Sequence, residues 1–250
     1  MKIRVFETPE ELGRNAAEFS ADIINKAIEE KGFARIVLST GASQFDTINS
    51  LLEMDIDWGK VEMFHLDEYI GLPETHPASF RKYLKERFTS KINLKKAYFV
   101  DGEGDIKAHI KELNSNVTKS PIDLGLIGIG ENAHVAFNDP PADFETKEPF
   151  IIVKLDDVCK NQQVGEGWFD TIDDVPDEAI SMSVHQIMQC KTIVSCVPYE
   201  VKAEAVKNVL DSDVSPDVPA TILKTHADYY LYLDKDSAKL VDEDTLKEFA

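Results

Sequence analysis

Pro121-Ile-Asp-Leu-Gly-Leu-Ile-Gly-Ile-Gly-Glu-Asn-Ala-His-Val-Ala-Phe-Asn-Asp-Pro140 is the stretch whose reading decides the fold. Leu124 to Ile129 is an apolar run interrupted only by Gly125 and Gly128. A short apolar run bounded by turn residues reads as a strand buried on both faces, the pattern of a parallel sheet. Gly130, Glu131, Asn132, His134, Asn138 and Asp139 crowd in directly behind it. Ligands of open α/β sheets bind just past the carboxyl ends of strands, so chemistry is expected here. Gly128 and Gly130 let a backbone approach a substrate closely. The pair lacks a third glycine and opens no clear helix, which sets a dinucleotide-binding fingerprint aside.

Working outward, strands alternate with helices. Met1 to Phe6 reads as an edge strand. Thr8-Pro-Glu-Glu11 then reads as a capping box with Pro9 at the first helical position. Leu12, Ala16, Phe19, Ile23 and Ala27 recur at helical spacing until Gly32 stops the helix. Ala34 to Ser39 is a strand that runs through Thr40-Gly-Ala-Ser43 into a helix ending at Leu52. Glu62 to Leu66 is a strand delivering His65, Asp67, Glu68 and Tyr69 into a loop. Helices are expected over Pro77–Phe88, Asp105–Leu113 and Glu200–Leu210, and strands at Phe150–Leu155, Ile180–Val184, Thr192–Val197 and Tyr229–Leu233. Residues 156–177 are acidic and without period, which reads as a structureless stretch, an active-site lid or a disordered loop. The tail after Lys235 reads as a polar or frayed helix. The expected fold is α/β: an open, mostly parallel, doubly wound (Rossmann-like) sheet with helices on both faces, in one domain over residues 1–250.

The 250 residues are enough for one sizeable core, and 43% hydrophobic content is ordinary for a globular protein. The net charge of −19 argues against nucleic acid and anionic membranes as partners. An anionic ligand then needs a local positive pocket set against the overall field. The 3 cysteines (Cys159, Cys190, Cys196) have no metal-like spacing, which suits a reducing cytoplasm. No basic leader precedes an apolar stretch, and no run approaches ~18 apolar residues. A soluble cytoplasmic protein is expected, with a homo-oligomer left open.

Three constellations carry chemistry. Ser39-Thr40-Gly41-Ala42-Ser43 joins a strand to a helix, whose N-terminal N–H groups and dipole suit a phosphate. An ordinary serine-capped turn is the plainer reading. Asp67 and Glu68 are adjacent carboxylates at a strand end, where burial and like charge raise one pKa into the range of a general base. In a chain with 46 acidic residues a solvated turn competes with that reading. His134 with Asn132 and Asp139 suggests an oriented acid–base pair. The alternative is a histidine satisfied by backbone near the core. The six histidines show no HxH or HExxH spacing, so metal binding is a poor fit. Lys202, near the start of the Glu200 helix, is a lone basic residue of a kind that is usually just solvated. Unaided, these residues point to an α/β enzyme acting on a small phosphorylated metabolite.

Together the stretches resemble the glucosamine-6-phosphate deaminase (isomerase) family, relatives of the 6-phosphogluconolactonases, over nearly the whole chain. Thr40-Gly-Ala-Ser43 resembles the family's TG(G/S)(S/T) phosphate loop. Asp67-Glu-Tyr-Ile-Gly-Leu-Pro-Glu-Thr-His-Pro-Ala-Ser-Phe80 is similar to its DEYxGLPxxHPxSY signature, the most specific segment. Gly128 to Pro140 is similar to GxGxDGHIAFNEP, and Lys202 falls where the family has a phosphate-binding lysine. Lactonases show DERxV and GHTASLFP instead, so Tyr69 and Phe137-Asn138 favour the deaminase branch. The resemblance implies that Asp67 moves a proton from C2 to C1 of the open-chain amino sugar. His134, supported by Asp139, opens the pyranose ring, and water hydrolyses the resulting imine to fructose 6-phosphate and ammonium, with neither metal nor organic cofactor needed. It implies that Thr40, Gly41, Ala42, Ser43, Glu68, Gly130 and Lys202 hold the phosphosugar. Asn132 stands where the family has aspartate, and Asp139 where it has glutamate. No arginine marks the lid, where Lys160 or Gln163 are the substitutes, and the basic and hydroxyl residues of the regulated enzymes' allosteric site are missing near Pro149 and Ile151. A lactonase-type hydrolase and a catalytically silent phosphosugar sensor are the rival functions.

Overall fold

The chain is described over residues 1–249 by a computed structural model. It opens on β1 (Lys2–Phe6) and helix α1 (Pro9–Lys31), followed by β2 (Ala34–Leu38), α2 (Phe45–Leu52), β3 (Val61–His65) and β4 (Asp67–Tyr69). Next come α3 (Phe80–Leu84), β5 (Lys96–Tyr98), α4 (Ile106–Val117), β6 (Leu124–Leu126), β7 (Phe150–Lys154) and α5 (Asp157–Gly165). The remainder is β8 (Glu178–Met182), α6 (Val184–Ile187), β9 (Thr192–Val197), α7 (Ala203–Asp211), β10 (Tyr229–Asp234) and two short terminal helices, Lys235–Ala238 and Glu243–Glu248.

Seven strands form one parallel sheet in the order β1-β10-β9-β6-β2-β3-β5. From β2 the chain winds outward through β3 to β5; from β6 it winds the other way through β9 and β10. The reversal falls between β2 and β6, and the crevice beyond their carboxyl ends is where such sheets bind ligands. Both faces are covered. Ile36 and Leu38 of β2 pack into one core with α1 and α2, while Val37 enters the other with α4 and α7. Leu231 and Leu233 face that second core, and Tyr230 and Tyr232 the first. The two-residue alternation of a strand thus splits one buried sequence between two cores.

Local rules account for most element ends. Thr8 Oγ1 caps α1 by accepting from Glu11 N at 3.2 Å, and Gly32 ends the helix with φ 84°. The capping box is only half formed, because the Glu11 carboxylate accepts from Glu7 N instead of Thr8 N. Where the sequence predicts one helix over Pro77–Phe88, α3 starts at Phe80 under a Ser79 cap and loosens into a wider turn over Lys85–Thr89. The central run leaves the sheet after Leu126, three residues earlier than the apolar pattern predicts. β5 and α6 carry too few residues to show a period.

Two expectations are corrected. Asp67–Tyr69 is a strand, pairing antiparallel with β8 (Asp67↔Ser181, Glu68↔Ile180, Tyr69↔Ala179) in a second sheet of order β4-β8-β7. Three residues are too short to read, but Tyr69 is wholly buried beside Leu72, Phe137 and Phe169, which fixes it in place. Residues 156–177 are also structured: Asp156 caps α5 through Cys159 N at 2.7 Å. Cys159, Phe169 and Val175 anchor the segment in the same small core. Its apolar residues are too few to give a helical period. No described helix is long and apolar enough to cross a membrane.

Gly13 shows how closely α1 and α2 pack. A β-carbon there would lie 2.7 Å from the backbone and Cβ of Asp46 and 2.8 Å from Thr47 N. Helix propensity alone favours Gly13→Ala by ~1 kcal/mol, whereas forcing helices apart costs ~1–3 kcal/mol. The clash is with backbone and wins, so Gly13→Ala is expected to lower the melting temperature; a rise would contradict this packing.

Candidate active site

The crevice between β2 and β6 is a cleft of about 180 Å³. Its floor is fixed by two bonds: Ser39 N donates to Leu126 O at 2.9 Å, and Gly128 N to Ser39 Oγ at 3.0 Å. Thr40, Gly41, Ala42 and Ser43 line one side. Gly41 has φ 104°, a conformation that asks for glycine, and its carbonyl accepts from Tyr83 Oη at 3.0 Å. The turn after it is a short 3₁₀ segment, Ala42–Gln44, ahead of α2. Gln44, unmarked by any sequence signal, is buried and ties the turn down through Nε2 to Ser43 Oγ (2.9 Å) and Cys196 O (3.1 Å). The Ser43 hydroxyl accepts there, which leaves its proton for a ligand.

Asp67 enters from the junction of the two sheets, where Met182 N donates to Leu66 O at 2.9 Å. Its side chain is buried. Burial first, then the negative charges of Glu68 and Asp139, push its carboxyl well above the ordinary carboxylate range. Glu68 points the opposite way, and the structure does not bring it to the cleft. Its Oε2 accepts from Ser79 Oγ (2.8 Å), Arg81 N (2.8 Å) and Arg81 Nε (3.3 Å), its Oε1 from Tyr69 N (3.0 Å) and Phe80 N (3.2 Å). With every acceptor direction taken, Glu68 holds α3 onto β4, which corrects its expected place against the substrate.

His134 borders the cleft, and Asn132 and Asp139 stand behind it. Its Nδ1 lies 2.6 Å from Asn132 Oδ1 and 3.1 Å from Asp139 Oδ1; Asn132 Nδ2 donates to Asp139 Oδ1 at 3.1 Å. Both neighbours are acceptors at Nδ1, so the ring carries its proton there and presents Nε2 as the free acceptor. For Asp139 burial works upward, but hydrogen bonding and charge from His134, with a hydrogen bond from Asn132, outweigh it and hold the carboxyl below its ordinary value. The loop is clamped by Asn138 Nδ2 to Val135 O (2.8 Å) and Met182 O (2.9 Å), and by Phe137 N to Ser181 Oγ (3.1 Å). Ala133 (φ 65°) and Ala136 (φ 51°) take left-handed conformations on either side of His134. Such strain persists where the surroundings over-determine it.

Lys202 closes the far end and is the single lysine or arginine lining the cleft among the described residues. Burial lowers its pKa, opposed by the charges of Glu166 and Glu131. Tyr199, also in the wall, has φ 81° and ψ 146°, a region almost reserved for glycine. From the segment 156–177, Gln162, Gln163, Glu166 and Trp168 complete the lining. Gln162 Oε1 accepts from Glu131 N at 3.4 Å, and Glu166 accepts from Gln162 Nε2 (2.8 Å) and Trp168 Nε1 (3.0 Å). Gln163 accepts from Tyr69 Oη at 2.8 Å, whereas Lys160 pairs with Asp177 outside the cleft. Of the two residues offered for the missing lid arginine, only Gln163 reaches the site. Glu166, Trp168 and Tyr199 were missed because isolated polar and aromatic residues carry no spacing signal, whereas Glu131 belongs to the polar cluster the sequence marked behind the central strand.

An electrophilic carbon held in this cleft meets a buried carboxyl on one side and an oriented imidazole on the other, with a cation and backbone donors at the end. That is the equipment for proton transfer on a small anionic substrate. Comparison with known proteins places the chain in one class. The family model described as glucosamine-6-phosphate isomerases/6-phosphogluconolactonase matches residues 7–231, and the chain belongs to that family. A glucosamine-6-phosphate deaminase of Thermoanaerobacter pseudethanolicus is 33% identical over 256 aligned residues, covering 99% of this chain and 98% of that one. One of Clostridium acetobutylicum is 34% identical over 233 residues, covering 90% and 95%. Among solved structures, a monomeric glucosamine-6-phosphate deaminase superposes with TM-score 0.88 at 30% identity, over 96% of this chain and 100% of that one. A 6-phosphogluconolactonase of Trypanosoma brucei shares the fold at TM-score 0.77 and 16% identity, over 96% and 98%.

Gly130 allows the imidazole its position: a β-carbon there would fall 2.2 Å from His134 Cε1 and 2.3 Å from Nε2. Gly130→Ala is expected to displace the ring and break its contact with Asn132 while the melting temperature moves little. Imidazole ¹⁵N–¹H spectra check this, and an unchanged His134 signal contradicts it.

Proposed function

We propose that this chain is a glucosamine-6-phosphate deaminase, converting glucosamine 6-phosphate and water to fructose 6-phosphate and ammonium. The observation that carries the reading is one cleft bordered by Asp67, His134 and, at its far end, Lys202 with the Gly41–Ser43 turn. The relatives' shared name supports the substrate.

In this reading the phosphate lies against Lys202, the Ser43 hydroxyl and the backbone N–H groups after Gly41. His134 Nε2 accepts the proton of the anomeric hydroxyl and returns it to the ring oxygen, opening the pyranose; Asn132 and Asp139 keep the ring oriented through Nδ1. Asp67 removes the C2 proton, made acidic by the neighbouring carbonyl, and delivers it to C1. The C2 amine becomes an imine, which water hydrolyses. No step requires a cofactor. Burial, with the charges of Glu68 and Asp139, raises the pKa of Asp67 and so makes its carboxylate a stronger base toward the C2 proton. We read the whole chain as one domain, with residues 156–177 as a lid that turns Gln162, Gln163 and Trp168 toward the substrate. Three free, buried cysteines support a cytoplasmic setting.

Ammonium release across a panel of 2-amino-2-deoxyhexose 6-phosphates, with 6-phosphogluconolactone hydrolysis measured alongside, tests the reading. Turnover of glucosamine 6-phosphate is expected; lactone hydrolysis with no ammonium from any amino sugar overturns it.

Asp67→Asn is expected to cut kcat by ~10²–10⁴-fold with KM little changed. It should also stabilise the fold. A carboxyl whose folded pKa is raised contributes fully below its unfolded value of ~3.9. That contribution is lost as pH rises through the folded value, so near pH 7 the ionised form is a burden that asparagine removes. The melting temperature near pH 7 should therefore rise as activity falls, and a loss of both contradicts the assignment. Lys202→Ala removes a charge-assisted contact of ~1.5–3 kcal/mol and should raise KM about tenfold or more. Equal affinity of wild type and variant for inorganic phosphate contradicts that role.

A further inference from the structure

The sequence offers no metal-binding spacing, yet folding assembles a mixed donor set from two separate segments. One ligand atom each of His134, Asp139 and Cys159 lie within 4.8 Å of one another. It is the one such group of three found among the described residues. His134 and Asp139 come from the loop after β6, and Cys159 from α5, where it is fully buried. The His134 Nδ1 to Asp139 Oδ1 separation is 3.1 Å. Zinc bonds of ~2.0–2.3 Å in a tetrahedral site place ligand atoms ~3.3–3.8 Å apart, inside the 4.8 Å that bounds these three. A second observation points the same way: the Asp139 side chain is only 7% exposed, its Oδ2 has no nitrogen or hydroxyl donor, and what its carboxyl meets from α5 is the weak S–H of Cys159. A buried carboxylate oxygen met only by a thiol is poorly satisfied, and a cation held between the two is a stronger partner.

We infer that His134, Asp139 and Cys159 form a binding site for a thiophilic divalent cation of the zinc type, which pins the lid helix α5 to the His134 loop. Nitrogen, carboxylate oxygen and thiolate sulfur are the donors zinc favours, whereas magnesium and calcium require more oxygens than this set supplies. Three protein ligands leave a fourth position for water. On binding, the Cys159 thiol proton leaves to solvent and the His134 proton passes from Nδ1 to Nε2, as the metal takes Nδ1. The ring then loses both its hold on Asn132 and its free acceptor, so metal binding inhibits. The inhibition rests on the role proposed for His134; the binding does not.

The full-length protein, stripped with a chelator, is titrated with zinc sulfate in competition with a chromogenic chelator, and zinc-edge X-ray absorption is recorded on the loaded wild type. One zinc per chain at micromolar or lower concentration, with one sulfur among its ligands, is expected. Cys159→Ser should weaken binding more than about tenfold, and ammonium release should fall with occupancy and return with chelator. No binding at micromolar zinc, no sulfur in the spectrum, or equal binding by Cys159→Ser overturns the site. The spectrum decides even where the variant does not fold. Cys159-dependent binding that leaves turnover intact upholds the site and counts against His134 as the ring-opening group. A protein that releases no ammonium at all fails the functional reading while both binding readouts stand.

Discussion

A buried carboxylate holds this architecture together. Glu68 has no solvent contact and accepts five hydrogen bonds from Tyr69, Ser79, Phe80 and Arg81. Arg81 in turn reaches Asp101, Glu103 and the Leu72 carbonyl. Removing a charge from water costs several kcal/mol unless it is met this completely. Satisfied in this way, Glu68 locks the segment from Leu72 to α3 against β4. It thereby fixes its neighbour Asp67 at the seam of the two sheets.

The same constraint reaches the chemistry. Adjacent residues of a strand point to opposite faces, so an inward Glu68 sends Asp67 to the cleft. There its charge is resisted by burial and by Glu68 itself. Across the cleft, the reversal between β2 and β6 sets the Gly41 turn beside Gly128–Gly130, and the clamp of Asn138 onto β8 brings His134 to the same opening. The two sheets thus supply opposite walls of one cleft.

Much of this was legible in the sequence, for identifiable reasons. Buried parallel strands write themselves as apolar runs, so β2, β3, β9 and β10 were read within a residue or two, and the glycines near their ends marked the cleft. Asp67, His134, Lys202 and the Thr40–Ser43 turn, separated by up to 162 positions in the chain, do meet there. What was not legible depends on tertiary partners. β4 is strand only because β8 is beside it. Glu68 looked like substrate equipment until its partners at Ser79–Arg81 were seen. α5 is held by buried Cys159 and Gln163 rather than by a periodic face. The acidic character of this end of the cleft, with Glu166 near Lys202, leaves no mark in a chain already rich in acids.

The central claim is that one buried carboxyl, Asp67, carries a proton from C2 to C1. The fate of that hydrogen tests it most directly, by turning over glucosamine 6-phosphate deuterated at C2 in ordinary water and locating label in the product by NMR. Deuterium at one face of C1 of fructose 6-phosphate in the wild type, with neither label nor product from Asp67→Asn, is the predicted result. Undiminished, stereospecific labelling at C1 by Asp67→Asn would contradict it.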